Sequence, residues 1–274
     1  MPQTNAKWPS AATLLIAGLF LHAAAPGARA QPASPPVRSV TVAQGLENPW
    51  ALAFLPDGRY LVSERPGRLR VVEADGRLNP PLTGLPPLAA GGQGGLLDVL
   101  LDSGFATNRT VYFCFSEPAS AGASGNSTAL ARSRLSEDRT QLQDVRVIFS
   151  QRPKVASSLH FGCRIVEGMK DGRPDGTLFL TLGERFQRMQ DAQTLDNHHG
   201  KIVRIGKDGS VPKDNPFVGR SGALPEIWSY GHRNPQGATL GPDGRLWMHE
   251  HGPQGGDEIN LPQPGRNYGW PVIT

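Results

Sequence analysis

A repeated segment constrains the fold of this chain more than any other feature. Residues 56–59 (PDGR) lead into LVSE, and residues 242–245 (PDGR) lead into WMHE at identical spacing, with a glutamate ending each copy. A third copy with two extra residues, PDGTLFLTLGE, covers 174–184. Each copy predicts a tight turn followed by a strand. Such turns are common in β proteins, but apolar residues precede two copies alike, which favours repeated units.

The rest of the chain predicts an all-β fold. No window keeps helical periodicity over three turns, and short runs bounded by Gly, Pro, Asn or Asp recur. Those runs are VRSVTVA, WALAFL, RYLVSE, RLRVVE, VYFCF, VRVIFS, GTLFLTL, KIVRI and RLWMHE. Repeated short sheets favour a β-propeller, whose sheets pack radially around a channel. Residues 84–95 predict a Gly-rich loop, and 116–128 an exposed, mobile insertion.

The N-terminal segment predicts export. Lys7 precedes the apolar run ATLLIAGLFLHAAA, and residues 28–30 (ARA) fit the cleavage pattern of a secretory signal peptide spanning 1–30. The run is short for a bilayer span, although a membrane anchor is the alternative. By either interpretation the folded part is expected in the periplasm or outside the cell. Residues 31–36 are expected to be a disordered lead, and residues 37–274 the propeller domain.

Charge and cysteine content exclude several classes. Removal of the signal peptide takes Lys7 and Arg29, which leaves 26 basic and 24 acidic residues. That near-neutral balance gives no electrostatic footprint for nucleic acid or anionic lipid. Cys114 and Cys163 are too few for a disulfide scaffold and lack zinc-site spacing. They could pair in an oxidising compartment, but each lies in an apolar run where a buried free thiol is equally ordinary.

Residues 230–270 concentrate polar side chains in Gly- and Pro-rich connections, which suits a binding site better than a core. This stretch contains GHRNPQG at 231–237, EHGPQGGDEIN at 250–260 and NYGWP at 267–271. The three motifs resemble those of the soluble glucose and aldose sugar dehydrogenases that depend on pyrroloquinoline quinone. The resemblance runs from about residue 40 to the last residue. It implies oxidation of the anomeric CH–OH of an aldose to the lactone, with hydride transfer to the quinone.

The resemblance also implies catalytic residues. His160, in SSLHFGCRIV, matches the general base of the family, and imidazole ionises near working pH with little tuning. From the residues alone, a buried structural histidine is the alternative. Glu184 matches the carboxylate that orients the base. Leu159 stands where several relatives have Asp or Asn, so either Glu184 orients the base alone or the substrate contact differs.

Four further residues match positions beside the quinone. Gln93, flanked by glycines that allow close approach, matches a contact to quinone and sugar. Arg233 and Asn234 match cofactor contacts, and a guanidinium suits the carboxylates of the quinone. A structural ion pair is the alternative for Arg233. His251 stands where the glucose enzymes have a Gln near the cofactor, so it is a candidate to support the residues that contact the cofactor.

Two calcium ions are implied by the same resemblance. Backbone carbonyls at Gly252 and Pro253 match ligands of an ion beside the quinone. Glu258 and Tyr268, the latter through its carbonyl, match ligands of a structural ion. Hard oxygen ligands suit Ca²⁺ and would not suit zinc. The adjacent histidines 198 and 199 are interpreted as structural, because neighbouring side chains of an extended segment point to opposite faces.

Relatives of this kind continue beyond NYGWPVIT, so the chain is expected to encode about four blades of a six-bladed propeller. A sorbosone-type quinoprotein dehydrogenase is the close alternative. A non-catalytic truncated secreted propeller that binds sugars or proteins is the distant one. The joint presence of Gln93, His160 and the Arg233-Asn234 pair favours an enzyme. Its expected partners are an aldose and an electron acceptor, and a homodimer remains open.

Overall fold

The structure, a computed structural model, describes residues 37–273. Four antiparallel sheets follow one another along the chain, with strand orders β1-β2-β3, β4-β5-β6-β7, β11-β10-β9-β8 and β12-β13-β14. The strands are β1 Pro49–Phe54, β2 Tyr60–Glu64, β3 Arg68–Val72, β4 Leu96–Leu101, β5 Thr110–Pro118, β6 Asn126–Leu135, β7 Leu142–Ser150, β8 Gly162–Lys170, β9 Arg173–Leu182, β10 Lys201–Gly206, β11 Ile227–Tyr230, β12 Pro235–Leu240, β13 Leu246–Glu250 and β14 Glu258–Asn260. Two short helices, α1 (Phe105–Asn108) and a 3₁₀ turn (Met189–Gln193), complete these elements. The all-β prediction is confirmed.

Successive sheets pack against each other through three apolar clusters. The first cluster joins the first and second sheets, and includes Leu61 and Phe113. The second cluster joins the second and third sheets, and the third joins the third and fourth. Serial packing of neighbouring sheets is the arrangement that a propeller requires. None of the helices within residues 37–273 is long and apolar enough to cross a membrane.

The first and fourth sheets repeat each other residue by residue. Pro49 pairs with Glu64 and Pro235 pairs with Glu250, and each pair is followed by the same irregularity in register. PDG turns close both hairpins, with Gly58 N–H donating to the Leu55 carbonyl at 3.1 Å and its counterpart in the second copy at 2.9 Å. The repeat is therefore confirmed for these two copies. It extends back to the Asn-Pro dipeptides at 48–49 and 234–235.

The prediction of a turn in the third copy is wrong. Residues 174–176 lie inside β9, and the hairpin between β8 and β9 turns at Asp171 and Gly172, four residues before Asp175 and Gly176. Both residues have positive φ, 52° and 73°. A two-residue hairpin loop needs this conformation, and Asp-Gly is one of the dipeptides that adopt it readily. The earlier Asp-Gly therefore takes the turn, and PDG continues the strand.

Two other expectations need correction. Residues 37–46, which include the run VRSVTVA, form no strand, and Val37 and Val42 are exposed. Alternation specifies a strand only where one face becomes buried. The expected insertion at 116–128 is shorter in the structure, because β5 continues to Pro118 and β6 begins at Asn126, which leaves residues 119–125 as the connection. Thr128 is fully buried, and its hydroxyl donates to the Phe161 carbonyl at 2.7 Å. The loop predicted at 84–95 does connect β3 to β4 without a named strand.

A disulfide links the second sheet to the third. Cys114 on β5 and Cys163 on β8 are bonded, with a Cα–Cα distance of 5.8 Å. The two cysteines therefore pair, and neither is the buried free thiol that the sequence left as the alternative. Asp98 on β4 adds a polar link, because its carboxylate accepts the Arg164 guanidinium at 2.7 Å and the Ile165 N–H at 2.7 Å. Both links reach the start of β8, directly after His160. The predicted signal peptide and lead, residues 1–36, lie outside the described residues.

Candidate active site

The glutamates that end the three repeated segments are all buried. Glu64, Glu184 and Glu250 have exposed fractions of 0, 1 and 4%. Glu64 accepts the backbone N–H of Glu47, and Glu250 accepts that of the equivalent Arg233. Burial opposes ionisation of Glu64, but hydrogen bonds from Arg68, the Glu47 N–H and Arg70 lower its pKa to about 2. Two of these acids thus hold the segments that lead into their own hairpins.

The third glutamate holds His160. The Nδ1 atom of His160 lies 3.0 Å from Oε2 of Glu184, and the imidazole is 5% exposed. A carboxylate accepts, so Nδ1 is the ring nitrogen that carries a proton, and in the neutral imidazole Nε2 has the lone pair. Within residues 37–273, Nε2 has no hydrogen-bond partner and Glu184 is the only side chain bonded to the ring. Glu184 is therefore the orienting partner of the ring, and an altered substrate contact at Leu159 stays a prediction.

Gln93 lies against the same segment. Its Oε1 accepts the His160 N–H at 2.8 Å, and its own N–H donates to the Ser158 carbonyl at 2.8 Å. A Cβ at Gly92 would lie 2.6 Å from the Ser158 carbonyl oxygen, and a Cβ at Gly94 would lie 2.7 Å from the Phe161 ring. The glycines around Gln93 therefore allow the loop to pack on the His160 segment, a role that the sequence did not reveal.

Arg185 supports this segment from beneath, and sequence reasoning missed it. Its side chain is fully buried, and its guanidinium lies 3.9 Å from the centroid of the Phe161 ring. It donates to the Leu159 carbonyl at 3.1 Å and to the Ser157 carbonyl at 2.6 Å. Burial lowers the pKa of Arg185 to about 10, although the Glu184 carboxylate opposes the change. A buried cation bonded to carbonyls of this segment fixes the backbone that carries His160.

Arg233 and Asn234 reach the same place from the fourth sheet. The Arg233 carbonyl accepts the Glu184 N–H at 2.9 Å, and Asn234 Oδ1 accepts the Gly162 N–H at 3.3 Å. The Arg233 guanidinium lies 5.2 Å from the Trp270 ring centroid and donates through Nη1 to the His251 carbonyl at 3.2 Å. Its Nε is buried and has no partner within residues 37–273. A buried donor without an acceptor suits a site that binds an anionic group.

A polar cavity of about 180 Å³, here called the inner cavity, is lined by residues of all four sheets and their connections. Arg65 and His251 contribute from repeat-equivalent positions, as do Trp50 and Gln236. Arg65 donates to the Gly92 carbonyl at 2.8 Å and has no carboxylate partner in the described part of the chain. The complete lining is Trp50, Arg65, Gln93, Leu97, Phe161, Gly162, Asn234, Gln236 and His251. The sequence could have indicated Arg65, because it is the repeat counterpart of His251.

A second, smaller cavity, here called the loop cavity, brings together residues predicted to bind quinone and calcium. Arg233, Gly252, Pro253 and Glu258 all line it. Main-chain carbonyl oxygens lie close to Gly252. A Cβ built there would be 2.1 Å from the Gly255 carbonyl oxygen. Residues 37–273 contain no group of three His, Cys, Asp or Glu side chains placed to bind a metal. A metal at this loop would therefore depend on carbonyl ligands, as the Gly-Pro motif predicts.

Tyr268 is the second residue predicted to bind the structural ion, together with Glu258. It does not line the loop cavity, and its hydroxyl donates to the Leu261 carbonyl at 2.7 Å. Its ring stacks on His232, with 4.8 Å between the centroids. Burial raises the pKa of Tyr268. Only its main-chain carbonyl is left for the role predicted from the sequence.

Comparison with known proteins is decisive about the family. The family model for Glucose / Sorbosone dehydrogenase matches residues 46–274. The chain belongs to the glucose/sorbosone dehydrogenase family. It is 49% identical over 245 residues to aldose sugar dehydrogenase YliI of Escherichia coli strain K12, covering 88% of this chain and 64% of that protein. Quinoprotein glucose dehydrogenase B of Acinetobacter calcoaceticus is 30% identical over 257 residues, covering 85% of this chain and 52% of that protein.

Solved structures agree with this assignment. The apo form of the E. coli soluble aldose sugar dehydrogenase has a TM-score of 0.79 and 47% identity, over 85% of this chain and 65% of that one. The PQQ-bound aldose sugar dehydrogenase of Streptomyces coelicolor has a TM-score of 0.73 and 34% identity, over 88% and 69%. This glucose/sorbosone dehydrogenase chain thus spans about two thirds of the solved chains, and 64% of YliI.

This member of the family contains a second His–Glu pair that sequence reasoning missed. His232 Nδ1 lies 2.9 Å from Glu250 Oε1, and Nε2 lies 2.8 Å from the Ser229 hydroxyl. His232 and Ser229 are completely buried, so no substrate reaches them. The pair fixes the turn that presents Arg233. Of the His160–Glu184 and His232–Glu250 pairs, only the first leaves a ring nitrogen without a hydrogen-bond partner within residues 37–273.

The adjacent histidines bond to different groups. His198 Nδ1 accepts the Arg152 N–H at 3.1 Å, whereas His199 Nδ1 lies 2.7 Å from Asp191 Oδ2. His199 Nε2 lies 3.0 Å from the Pro153 carbonyl. Burial lowers the pKa of both imidazoles. These contacts agree with the structural interpretation.

Proposed function

We propose that this chain carries the active site of a quinoprotein aldose dehydrogenase, which oxidises the anomeric CH–OH of an aldose to the lactone. The observation that carries the proposal is the His160–Glu184 pair, with its Nε2 lone pair beside a loop that also positions Gln93. General bases in enzymes combine such a lone pair with an orienting carboxylate. The similarity to named aldose sugar and glucose dehydrogenases supports the substrate class.

His160 accepts the proton of the anomeric hydroxyl at Nε2. The Glu184 carboxylate keeps the proton on Nδ1 before the reaction and stabilises the imidazolium formed during it. Burial of both groups strengthens their interaction, because little water competes for it. Arg185 and Gln93 hold the backbone on which the imidazole is mounted, so the base does not have to be ordered when the sugar arrives.

The free donors of the site fit pyrroloquinoline quinone. The cofactor carries three carboxylates and an ortho-quinone, and Arg233 has a buried Nε for which residues 37–273 offer no acceptor. Arg65, Gln93 and Asn234 offer further donors in the inner cavity. When bound, the quinone supplies the acceptor for the hydride that leaves the sugar carbon. The PQQ-bound relative and the quinoprotein relative support this cofactor.

The loop cavity fits calcium better than a transition metal. Carbonyl oxygens at Gly252 and Pro253, with the exposed carboxylate of Glu258 nearby, form a hard donor set. We propose that they hold the ion beside the quinone, and that the Tyr268 carbonyl contributes to a second, structural ion.

The proposed function also includes four features of the whole protein. The four sheets would be four blades of a six-bladed propeller. Residues 1–30 would direct the protein to the periplasm or the exterior. An electron acceptor would reoxidise the cofactor, and two copies would form a homodimer. A sorbosone-type substrate is the alternative within the family, whose model covers both dehydrogenases.

The test is reconstitution of the full chain with pyrroloquinoline quinone and Ca²⁺, followed by glucose-dependent reduction of an artificial dye. His160→Ala should lower kcat about a hundredfold or more while quinone binding persists. His249→Ala is the matched control, because His249 is an exposed histidine on β13. Sorbosone in place of glucose distinguishes the two substrates. Loss of activity in both variants, or in neither, would refute the assignment of the base.

A further inference from the structure

An aromatic side chain stands beside the base and is only about half buried. The Phe186 ring is T-shaped to the His160 imidazole, with 5.2 Å between the centroids. Yet 47% of Phe186 is exposed, and it belongs to none of the three core clusters. Apolar side chains that remain exposed beside a reactive group are candidates for contact with a ligand.

The backbone holds this ring in place by an uncommon conformation. Arg185 and Phe186 both have a backbone φ of 66°, which lies in the left-handed region that residues other than glycine rarely adopt. The buried guanidinium of Arg185 anchors the first of them. The Phe186 N–H donates to Glu184 Oε2, the oxygen that also accepts from His160. One carboxylate therefore fixes both the imidazole and the neighbouring aromatic ring.

Hydrophobic burial does not explain such a conformation, because the ring remains half in solvent. A ligand that bonds to His160 from the side of this ring would cover it. A pyranose has an apolar face of C–H groups and a rim of hydroxyls, so it can bond to a base through one hydroxyl while its face lies on an aromatic ring. The side chain of Leu159 has no hydrogen-bonding group. Near this residue, the sugar would therefore be recognised by apolar contact.

We infer that Phe186 is a substrate-contacting residue, whose ring receives the C–H face of the aldose while His160 takes the anomeric proton. The inference rests on the proposed function and adds a specificity-determining contact to it. It predicts that Phe186 acts on sugar affinity, whereas His160 and Glu184 act on turnover.

The experiment compares two substitutions at Phe186 with one at Phe54 in the full reconstituted chain. Phe186→Asn removes the ring with a residue that tolerates positive φ, and Phe186→Trp keeps an aromatic surface. Phe54→Ala is the matched control, because Phe54 is 72% exposed and also T-shaped to an aromatic ring, Tyr60, at 5.5 Å. Steady-state kinetics with glucose give KM and kcat separately. Saturation-transfer NMR from aromatic protons to glucose measures contact independently of turnover.

The expected result is a rise of about tenfold in KM for Phe186→Asn with kcat within about threefold, and near-normal KM for the Trp and Phe54 variants. Saturation transfer should fall in the Asn variant alone. Unchanged KM and transfer in that variant would overturn the inference while leaving the enzyme assignment intact. A changed pH profile of kcat at constant KM would also overturn it, by showing that Phe186 only positions His160. An inactive wild type that still shows Phe186-dependent transfer would refute the proposed reaction but support the contact.

Discussion

One carboxylate oxygen of Glu184 lies 3.0 Å from Nδ1 of His160, and both residues are almost completely buried. Replacement of Glu184 by Gln keeps the size but removes the charge that would stabilise the imidazolium. We expect kcat for glucose to fall about tenfold to a thousandfold, with a smaller effect on KM. Glu226→Gln is the control, since Glu226 lies 3.5 Å from another buried histidine, His198, outside the site. Equal kcat in the wild type and Glu184→Gln would contradict the orienting role.

Arg233 should control quinone affinity through its Nε donor, which has no protein partner within residues 37–273. Arg233→Met keeps an apolar stem over Trp270 but removes the guanidinium. We expect pyrroloquinoline quinone to bind about tenfold more weakly or worse in the presence of Ca²⁺, measured by calorimetry. Arg220→Met is the matched control, because Arg220 also lies over an aromatic ring, Phe217, at 5.5 Å. If both variants bound quinone as the wild type does, Arg233 would be a structural residue.

The hairpins of the first and fourth sheets could be predicted because their signals are local. A PDG turn and its flanking apolar residues lie within about ten residues of each other, and turn chemistry acts over that range. The same reasoning failed at 174–176, where Asp171-Gly172 offered a tighter hairpin nearby. Local signals do not say which of two adjacent turn sequences will be used when strand pairing decides between them.

The residues around His160 show where sequence reasoning fails because the contacts join residues that are distant in sequence. The motif resemblance indicated His160 and Glu184, and the structure brings them together. Arg185 and Phe186, which directly follow Glu184, carried no signal, because their roles depend on carbonyls at 157–159 and on a ring that is distant in sequence. A fully buried arginine looks like a surface residue in a sequence, since arginine is rarely buried without such partners.

The disulfide should contribute strongly to stability. It joins Cys114 and Cys163, whose sequence separation is 49, and chain-entropy arguments give about 4 kcal/mol for a loop of that length. We expect the Cys114→Ala/Cys163→Ala double variant to lose a free energy of unfolding of this order in urea denaturation. The reduced wild type is the comparison that leaves the side chains in place. A double variant as stable as the oxidised wild type would show that the apolar cluster around both sulfurs suffices.

The link between β4 and β8 should make stability depend on pH in an unusual direction. Burial raises the pKa of Asp98 to about 6, outweighing the opposing effects of Arg164 and the backbone N–H groups, from an ordinary value of 3.8. Between these values the folded chain binds a proton that the unfolded chain has lost, so this contribution to stability is complete below about pH 4 and disappears as the pH rises through about 6. A shift of two units corresponds to about 3 kcal/mol. Other carboxylates, such as Glu64 with its lowered pKa, act in the opposite direction, so the wild-type curve alone is not informative.

Asp98→Asn isolates the effect, because it keeps the shape of the side chain and cannot titrate. The free energy of unfolding of the wild type, minus that of Asp98→Asn, should fall by up to about 3 kcal/mol between about pH 4 and pH 6.5. Urea denaturation at several pH values measures this difference. The variant also loses the carboxylate partner of Arg164, but this changes the free energy of unfolding by an amount that is independent of pH in this range, because the guanidinium remains charged. A difference that rises with pH would mean that Arg164 dominates over burial and that the Asp98 carboxylate is ionised in the fold.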